Sequence, residues 1–412
     1  MNKRRVVVTG LGVVAPNGIG KDEFWKANVE GRSGVNIVKA FDVSIFDSKI
    51  AAEIKDFDPG NYIPKEVSKR VDRFVHLGLA SAKMALDDSR LDMGKENKDR
   101  IGVVVGSGLG GGLFHEEQIL AGYEKGVHRL NPLCVPRITP NAVSSHISIQ
   151  FDLKGPSLTI SNACSSGTNA IGEAFRKIQA DDIDICASGG AEAPLTQFNF
   201  GAYCALRVLS RQNDSPKQAS RPFDKKRDGF VMGEGAAILI LEELQHALNR
   251  SAPIYAEIIG YAANSGAYHM VIPQPEGKDA ATVISQALKH ANLKPKDIEY
   301  INAHGTSTQA NDKAETLAIK DVFGEYAYRI PVSSTKSMIG HTIGAAGAIE
   351  SLVCCLVLEN QTIPPTINYE FPDPECDLDY VPNQARKIKV ERALSNSFGF
   401  GSNNACLILR RY

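Results

Sequence analysis

Residues 344–359 read Gly-Ala-Ala-Gly-Ala-Ile-Glu-Ser-Leu-Val-Cys-Cys-Leu-Val-Leu-Glu. Wound as a helix, this segment is apolar on nearly every side, and a helix of that kind belongs inside a large domain. Its apolar run Leu352–Leu358 is far below the roughly 20 residues needed to cross a bilayer. Elsewhere, short β-branched segments alternate with helical ones. Strands are predicted at Arg5–Thr9, Ile101–Val105, Leu158–Ser161, Ile183–Ala187, Ala236–Leu241, Ile254–Ile259, Ile298–Asn302, Ile330–Ser333 and Ala393–Ser397. Helices are predicted at Asp22–Glu30, Asp72–Asp88, Asn141–Phe151, Ser165–Gln179, Asp279–Ala291, Asp312–Phe323 and Gly344–Glu359. The alternation implies an α/β architecture with largely parallel strands. A fully apolar helix in such a protein implies a helical layer held between two sheets.

A length of 412 residues allows two or three average domains, or one large doubled one. Two internal echoes favour doubling. The segment from Leu158 to Gly167 leads from a strand into a helix, as does Pro331 to Gly340. The opening strand with Gly10-Leu11-Gly12 is echoed by Ile254–Ile259 with Gly260-Tyr261. Two similar halves, 1–252 and 253–412, are expected.

Basic and acidic side chains number 46 and 47, and charged residues make up 23%. That composition argues against disorder. It also removes the whole-molecule attraction of a nucleic-acid or membrane-surface binder, leaving only local basic patches. The eight cysteines form no Cys-x-x-Cys and no zinc-finger spacing with histidine, so neither a structural metal nor a redox motif is expected. The start, Met1–Gly10, is basic but reaches glycine after three valines, too short for a signal-peptide core. A cytoplasmic protein with reduced thiols is the expectation.

Cys164 lies between a strand and a helix opened by Ser165-Ser166-Gly167. Free N–H groups and the positive end of the helix dipole favour a thiolate there, so the sulfur is expected to be a nucleophile near neutral pH. Small neighbours leave room for a carbonyl whose oxygen could accept from backbone N–H groups. The other seven cysteines read as structural, Cys406 in the closing strand among them. His304 follows a strand in Ala303-His304-Gly305-Thr306-Ser307-Thr308, and His341 ends a loop that also carries Lys336. Strand-end loops are where α/β proteins place functional groups. One histidine alone reads as a structural hydrogen-bonding residue. Two of them, with a lysine and this cysteine, point to catalysis.

Taken together, these segments resemble the β-ketoacyl-acyl-carrier-protein synthases of the thiolase superfamily. The likeness runs from Val6–Gly12 to Asn396–Gly401, centres on Ala163-Cys164-Ser165-Ser166, and is closest to the elongating synthase II type. It implies the thiolase fold, five layers α/β/α/β/α with two similar halves. It also implies a decarboxylative Claisen condensation. Cys164 would carry the acyl group as a thioester, and His304 and His341 would stabilise the enolate formed when malonyl-ACP loses carbon dioxide. Lys336 and Glu350 would support them as a buried ion pair. The N–H of Phe400 would join that of Cys164 in an oxyanion hole while its ring gates the acyl pocket. Phe398, Thr306 and Thr308 would bind substrate, the threonines through the phosphopantetheine arm. Acidic acyl carrier protein would dock on Lys65, Lys69, Arg70, Arg129 and Arg207. No metal or organic cofactor is implied beyond the pantetheine carried by the substrates. A homodimer is expected, with a heterodimer with a related chain as the alternative.

Three positions depart from the family pattern. Asn162 stands where threonine is common, Ser402 replaces a glycine of the gating motif, and Val271 stands where a threonine often contacts pantetheine. They are compatible with a specialised ketosynthase of a polyketide or polyene pathway. A non-condensing partner of the chain-length-factor type is the second alternative, although those relatives usually lack the cysteine. A degradative thiolase would carry a second catalytic cysteine where this chain has the Phe400 turn. An initiating synthase III would use Cys-His-Asn, against the Lys336–His341 segment.

Overall fold

The computed structural model describes residues 4–412, so Met1–Lys3 of the basic start lie outside the described residues. Ten strands build the central ladder: β1 (Val6–Ala15), β2 (Ile101–Gly106), β3 (Ser157–Ile160), β4 (Ile185–Glu192), β5 (Gly235–Glu243), β6 (Ala256–Ser265), β7 (Tyr300–Asn302), β8 (Val332–Ser333), β9 (Arg392–Gly399) and β10 (Asn403–Arg410). Six helices frame it: α1 (Arg73–Ser89), α2 (Ala142–Phe151), α3 (Ser166–Gln179), α4 (Lys278–His290), α5 (Gln309–Phe323) and α6 (Ala346–Asn360).

The spatial order is β8-β7-β9-β10-β6-β1-β5-β4-β2-β3. Counted within either half, that is third, second, fourth, fifth, first. In both halves the second strand runs parallel to the third and fourth, and the fifth runs antiparallel to the fourth and first. Even the irregularity repeats, at Val8/Gly10 in β1 and Ile258/Gly260 in β6. The echoes read in the sequence therefore pair topologically equivalent strands. The two sheets are joined edge to edge, where Val6–Val8 pair antiparallel with Ala256–Ile258.

Side-chain alternation sets the layers. Leu239 and Leu241 of β5 face the central core with Ile171, Phe175, Leu352 and Val353, whereas Ile238 and Ile240 face α1 and α2. On the other half, Ile301 and Leu394 pack under α4 and α5 through Ile284 and Ile319. The result is helix, sheet, helix, sheet, helix. Every residue from Ala346 to Leu358 is buried. The helical stretch Ile343–Asn360 is long and apolar enough to pass for a membrane span, contrary to the reading from Leu352–Leu358 alone, but 89% of it is inside the protein.

β1 continues six residues past the predicted end at Thr9 because its glycines are contact points, not breaks. A Cβ on Gly10 would lie 2.2 Å from the Ala85 carbonyl oxygen, and one on Gly12 would lie 2.0 Å from that of Ser81. Both carbonyls belong to α1. Glycine here allows helix and strand backbones to touch.

Candidate active site

Cys164 occupies a one-turn 3-10 segment, Ala163–Ser165, between β3 and α3. Ala163 is left-handed, φ 49°, which turns the chain sharply and sets the next side chain inward. Cys164 is 6% exposed. Burial pushes its thiol up to about 12, while the Lys336 charge and the adjoining Phe400 N–H pull the other way. The expectation of a standing thiolate is thereby corrected. Desolvation outweighs the helix end and the nearby cation, and the resting group is the thiol.

His304 follows β7, where the backbone is held by carboxylates on the first turns of α5. The N–H groups of His304 and Gly305 donate to Glu315 at 2.9 and 2.8 Å, and that of Thr306 donates to Asp312 at 3.0 Å. Burial pushes the Glu315 carboxyl up to about 7 despite these donors. Gly305 has φ 36°, and a Cβ there would lie 2.7 Å from that of Ser334. No larger residue fits this bend.

His341 ends the loop after β8. Its Nε2 lies 3.0 Å from Cys164 Sγ, and its Nδ1 accepts from the Ile343 N–H at 3.3 Å. Lys336 pairs with Glu350 and donates to His304 Nδ1 at 3.3 Å. Both Nδ1 atoms are therefore acceptors, which leaves each ring proton on Nε2. Burial, then the Lys336 charge, holds both imidazoles well below their ordinary pKa. They are neutral N–H donors at pH 7. The rings lie 5.3 Å apart at 86°.

One cavity is bordered by Cys164, His304, His341, Phe398, Phe400, Thr306 and Thr308. The Phe398 ring meets His304 edge-on at 5.7 Å. Phe400 stacks on Tyr203 at 6.4 Å. A Cβ on Gly399 would lie 3.1 Å from the Cys164 nitrogen, so this glycine lets the Phe400 turn approach the nucleophile. Thr308 caps α5 by accepting from the Asn311 N–H at 3.3 Å, and its hydroxyl meets that of Thr306 at 2.9 Å. The cap and the cavity contact coexist.

Lys336 and Glu350 are 2% and 1% exposed and lie behind the histidines as a buried ion pair. Lys65, Lys69, Arg70, Arg129 and Arg207 are all exposed, and none forms an ion pair among the described residues. The thiol and one ring nitrogen of each histidine lie within 4.8 Å of one another, close enough to hold a soft metal ion.

Sequence reasoning missed Glu315 and Asp312, which position the His304 loop, and Tyr203 and Phe230, which wall the cavity. The carboxylates had a signal, three residues apart on a helix just past the His304 loop. The aromatics had none, since Tyr203 on the helix Gln197–Ala205 and Phe230 are brought to Cys164 only by the fold.

Residues 3–247 match the family model "Beta-ketoacyl synthase, N-terminal domain", and residues 255–370 match its C-terminal counterpart. The chain belongs to the β-ketoacyl synthase family. Among its relatives is 3-oxoacyl-[acyl-carrier-protein] synthase 2 of Coxiella burnetii, 47% identical over all of this chain and 99% of the relative. The enzyme of that name from Synechocystis is 46% identical over the same shares. Among solved structures, a type II PKS acyl-carrier protein in complex with its ketosynthase bound to the hexaketide aligns over all of both chains, with 37% identity and TM-score 0.93. The ishigamide ketosynthase/chain length factor aligns equally fully at 35% and 0.93. The resemblance drawn from Cys164, His304 and His341, and the thiolase fold it implied, are borne out, and the chain is a condensing acyltransferase by family.

Proposed function

We propose that this chain lengthens acyl groups on acyl carrier protein by two carbons. The observation that carries the reading is the meeting of one thiol and two neutral imidazole N–H donors in one cavity. Cys164 Sγ attacks the acyl thioester carbonyl while the N–H groups of Cys164 and Phe400 hold the oxyanion. The thiol proton leaves with the departing pantetheine thiol, giving acyl-Cys164. Malonyl-ACP then binds with its thioester oxygen toward the two Nε2–H groups. Its carboxylate departs as carbon dioxide, and the C–C bonding pair becomes an enolate stabilised by those donors. The enolate carbon attacks acyl-Cys164, and the released sulfur takes up a proton. Neutral donors suit this step because they hold a developing charge without surrendering a proton to the enolate carbon.

Acidic carrier protein is proposed to dock on Lys65, Lys69, Arg70, Arg129 and Arg207, five exposed cations that form no ion pair among the described residues. A homodimer is supported by the free outer edge of β3 and by apolar surface on it and on the adjoining α2, with Leu158 and Ile149 exposed at 42% and 74%. A cytoplasmic location agrees with eight cysteines that are all free. A second reading, a ketosynthase of a polyketide or polyene pathway, is favoured by the full-length alignment with the type II PKS ketosynthase and with the ishigamide ketosynthase/chain length factor. The purified protein given saturated, unsaturated and oxygenated acyl-ACPs of several lengths with malonyl-ACP distinguishes the two by product mass. Turnover of saturated chains supports fatty acyl elongation, exclusive use of the others supports the second reading, and no condensation with any contradicts both.

A further inference from the structure

Tyr203 borders the cavity from the helix Gln197–Ala205, and its hydroxyl takes no part in the proposed condensation. The ring lies edge-on to Phe230 at 5.8 Å and stacks on Phe400 at 6.4 Å. Phe230 in turn meets His341 at 5.3 Å, and His341 Nε2 lies 3.0 Å from Cys164 Sγ. Tyr203 therefore stands one aromatic ring away from the catalytic pair. For that packing a phenylalanine would serve as well, so the oxygen is the feature to explain. Tyrosines elsewhere in the interior spend their hydroxyls on the protein: Tyr261 on Asn169 at 2.9 Å, Tyr300 on Ser333 at 2.8 Å and Tyr380 on Thr316 at 2.7 Å. The hydroxyl of half-buried Tyr203 makes no hydrogen bond among the described residues. Burial, with the Cys164 sulfur and the Glu192 carboxylate nearby, pushes its ionisation up, so the group stays an O–H donor. Val208, Phe230, Ile343 and Phe400 border the same space and carry no polar side-chain atom. On the ketosynthase reading the two imidazole N–H groups are taken by the malonyl thioester. The Tyr203 hydroxyl is then the uncommitted donor beside this apolar stretch of wall.

We propose that Tyr203 is a specificity-determining residue whose hydroxyl donates a hydrogen bond to an oxygen on the acyl chain carried by Cys164. The preferred acyl groups are then oxygenated ones, with a hydroxyl or carbonyl within the first few carbons beyond the thioester. A saturated chain fills the same space but leaves the donor unpaired among aromatic rings, which costs binding. The proposal rests on the ketosynthase reading of the cavity and deepens it by naming the class of acyl group.

The test uses Tyr203→Phe, which keeps the ring against Phe230 and Phe400 and loses only the oxygen. β-Hydroxy and δ-hydroxy acyl-ACPs are compared with the saturated acyl-ACP of equal length. Acyl transfer to Cys164 is followed by intact mass and expressed as a second-order rate constant. The unsubstituted protein is expected to load at least one hydroxyacyl group about fivefold to tenfold faster than the saturated one, the scale of one neutral hydrogen bond. Tyr203→Phe is expected to erase that preference by slowing the hydroxyacyl group, with the saturated group held within about twofold. Absence of the preference in the unsubstituted protein would overturn the proposal, as would a preference that survives in Tyr203→Phe. Equal slowing of every acyl group would also overturn it, because the hydroxyl would then brace the wall without reading the chain. Failure of the unsubstituted protein to load any acyl group would instead overturn the ketosynthase reading.

Discussion

The two halves solve the same local problem with different residues. In each, the third strand feeds the buried helix through a single 3-10 turn whose first residue is left-handed: Ala163, φ 49°, before α3 and Ile343, φ 46°, before α6. The position after it holds Cys164 in one half and Gly344 in the other. A Cβ on Gly344 would lie 2.4 Å from the Gly108 nitrogen and 2.5 Å from Glu192 Oε2, so no nucleophile fits there. Strand and turn are separated by residues 161–162 in the first half and by 334–342 in the second. The longer connection carries His341 across to meet Cys164 and sets Lys336 behind His304. On the proposed reading, one scaffold supplies the nucleophile, and its copy, with a longer connection, supplies the groups for decarboxylation.

Removing the nucleophile is the harshest way to break this comparison. Cys164→Ala should abolish acyl loading, at least about 10⁴-fold, while carbon dioxide is still released from malonyl-ACP, measured by intact mass and gas release. His304→Ala or His341→Ala should lower carbon dioxide release by about 10²–10⁴-fold and acyl loading much less, in the same two assays. Loss of both activities in every variant would dissolve the division of labour.

The seam where the two buried helices meet gives a smaller effect, on stability. A Cβ on Gly347 would lie 2.0 Å from the Thr168 hydroxyl and 2.9 Å from the Thr168 nitrogen, whereas one on Gly324 would meet nothing within 4 Å. Gly347→Ala should cost about 1–3 kcal/mol in urea unfolding, with Gly324→Ala nearer the cost of its positive φ alone.

The smallest expected effect is that of pH. Groups held well below 6.5 take protons only at lower pH, so both histidines stay neutral donors as pH falls through that value. Carbon dioxide release by the Cys164→Ala variant should be nearly level from about pH 7.5 to about pH 6. Glu315, pushed up to about 7, is the nearby carboxyl that titrates in this window. Any residual slope should vanish in the Glu315→Gln variant. A fall centred near 6.5 that persists there would place imidazole protonation in the working range.

Much of this was legible in the sequence because it is written locally. Period and small-residue spacing gave α1, α3, α4 and α6 to within a few residues, and the echoes paired the right strands. The echo between Leu158–Gly167 and Pro331–Gly340 loses its register past Ser333, because nine residues, 334–342, stand where the first half has two. The candidate residues Cys164, His304, Lys336 and His341 were read from loops at strand ends, and they meet. The protonation of Cys164 was misjudged, since a helix end is visible in sequence whereas complete desolvation is not. Ser402 stands out in the sequence as a departure from the family pattern, but the Tyr268 and His269 N–H groups that donate to its hydroxyl become its neighbours only when β6 and β10 pair.

The most direct measurement maps the covalent intermediate by peptide mass after mixing with acyl-ACP, then again after malonyl-ACP is added. The acyl group should sit on the peptide bearing Cys164 and disappear on the second addition, with release of carbon dioxide and a product two carbons longer. An adduct on any other residue, or one on Cys164 that malonyl-ACP leaves in place, would contradict the account.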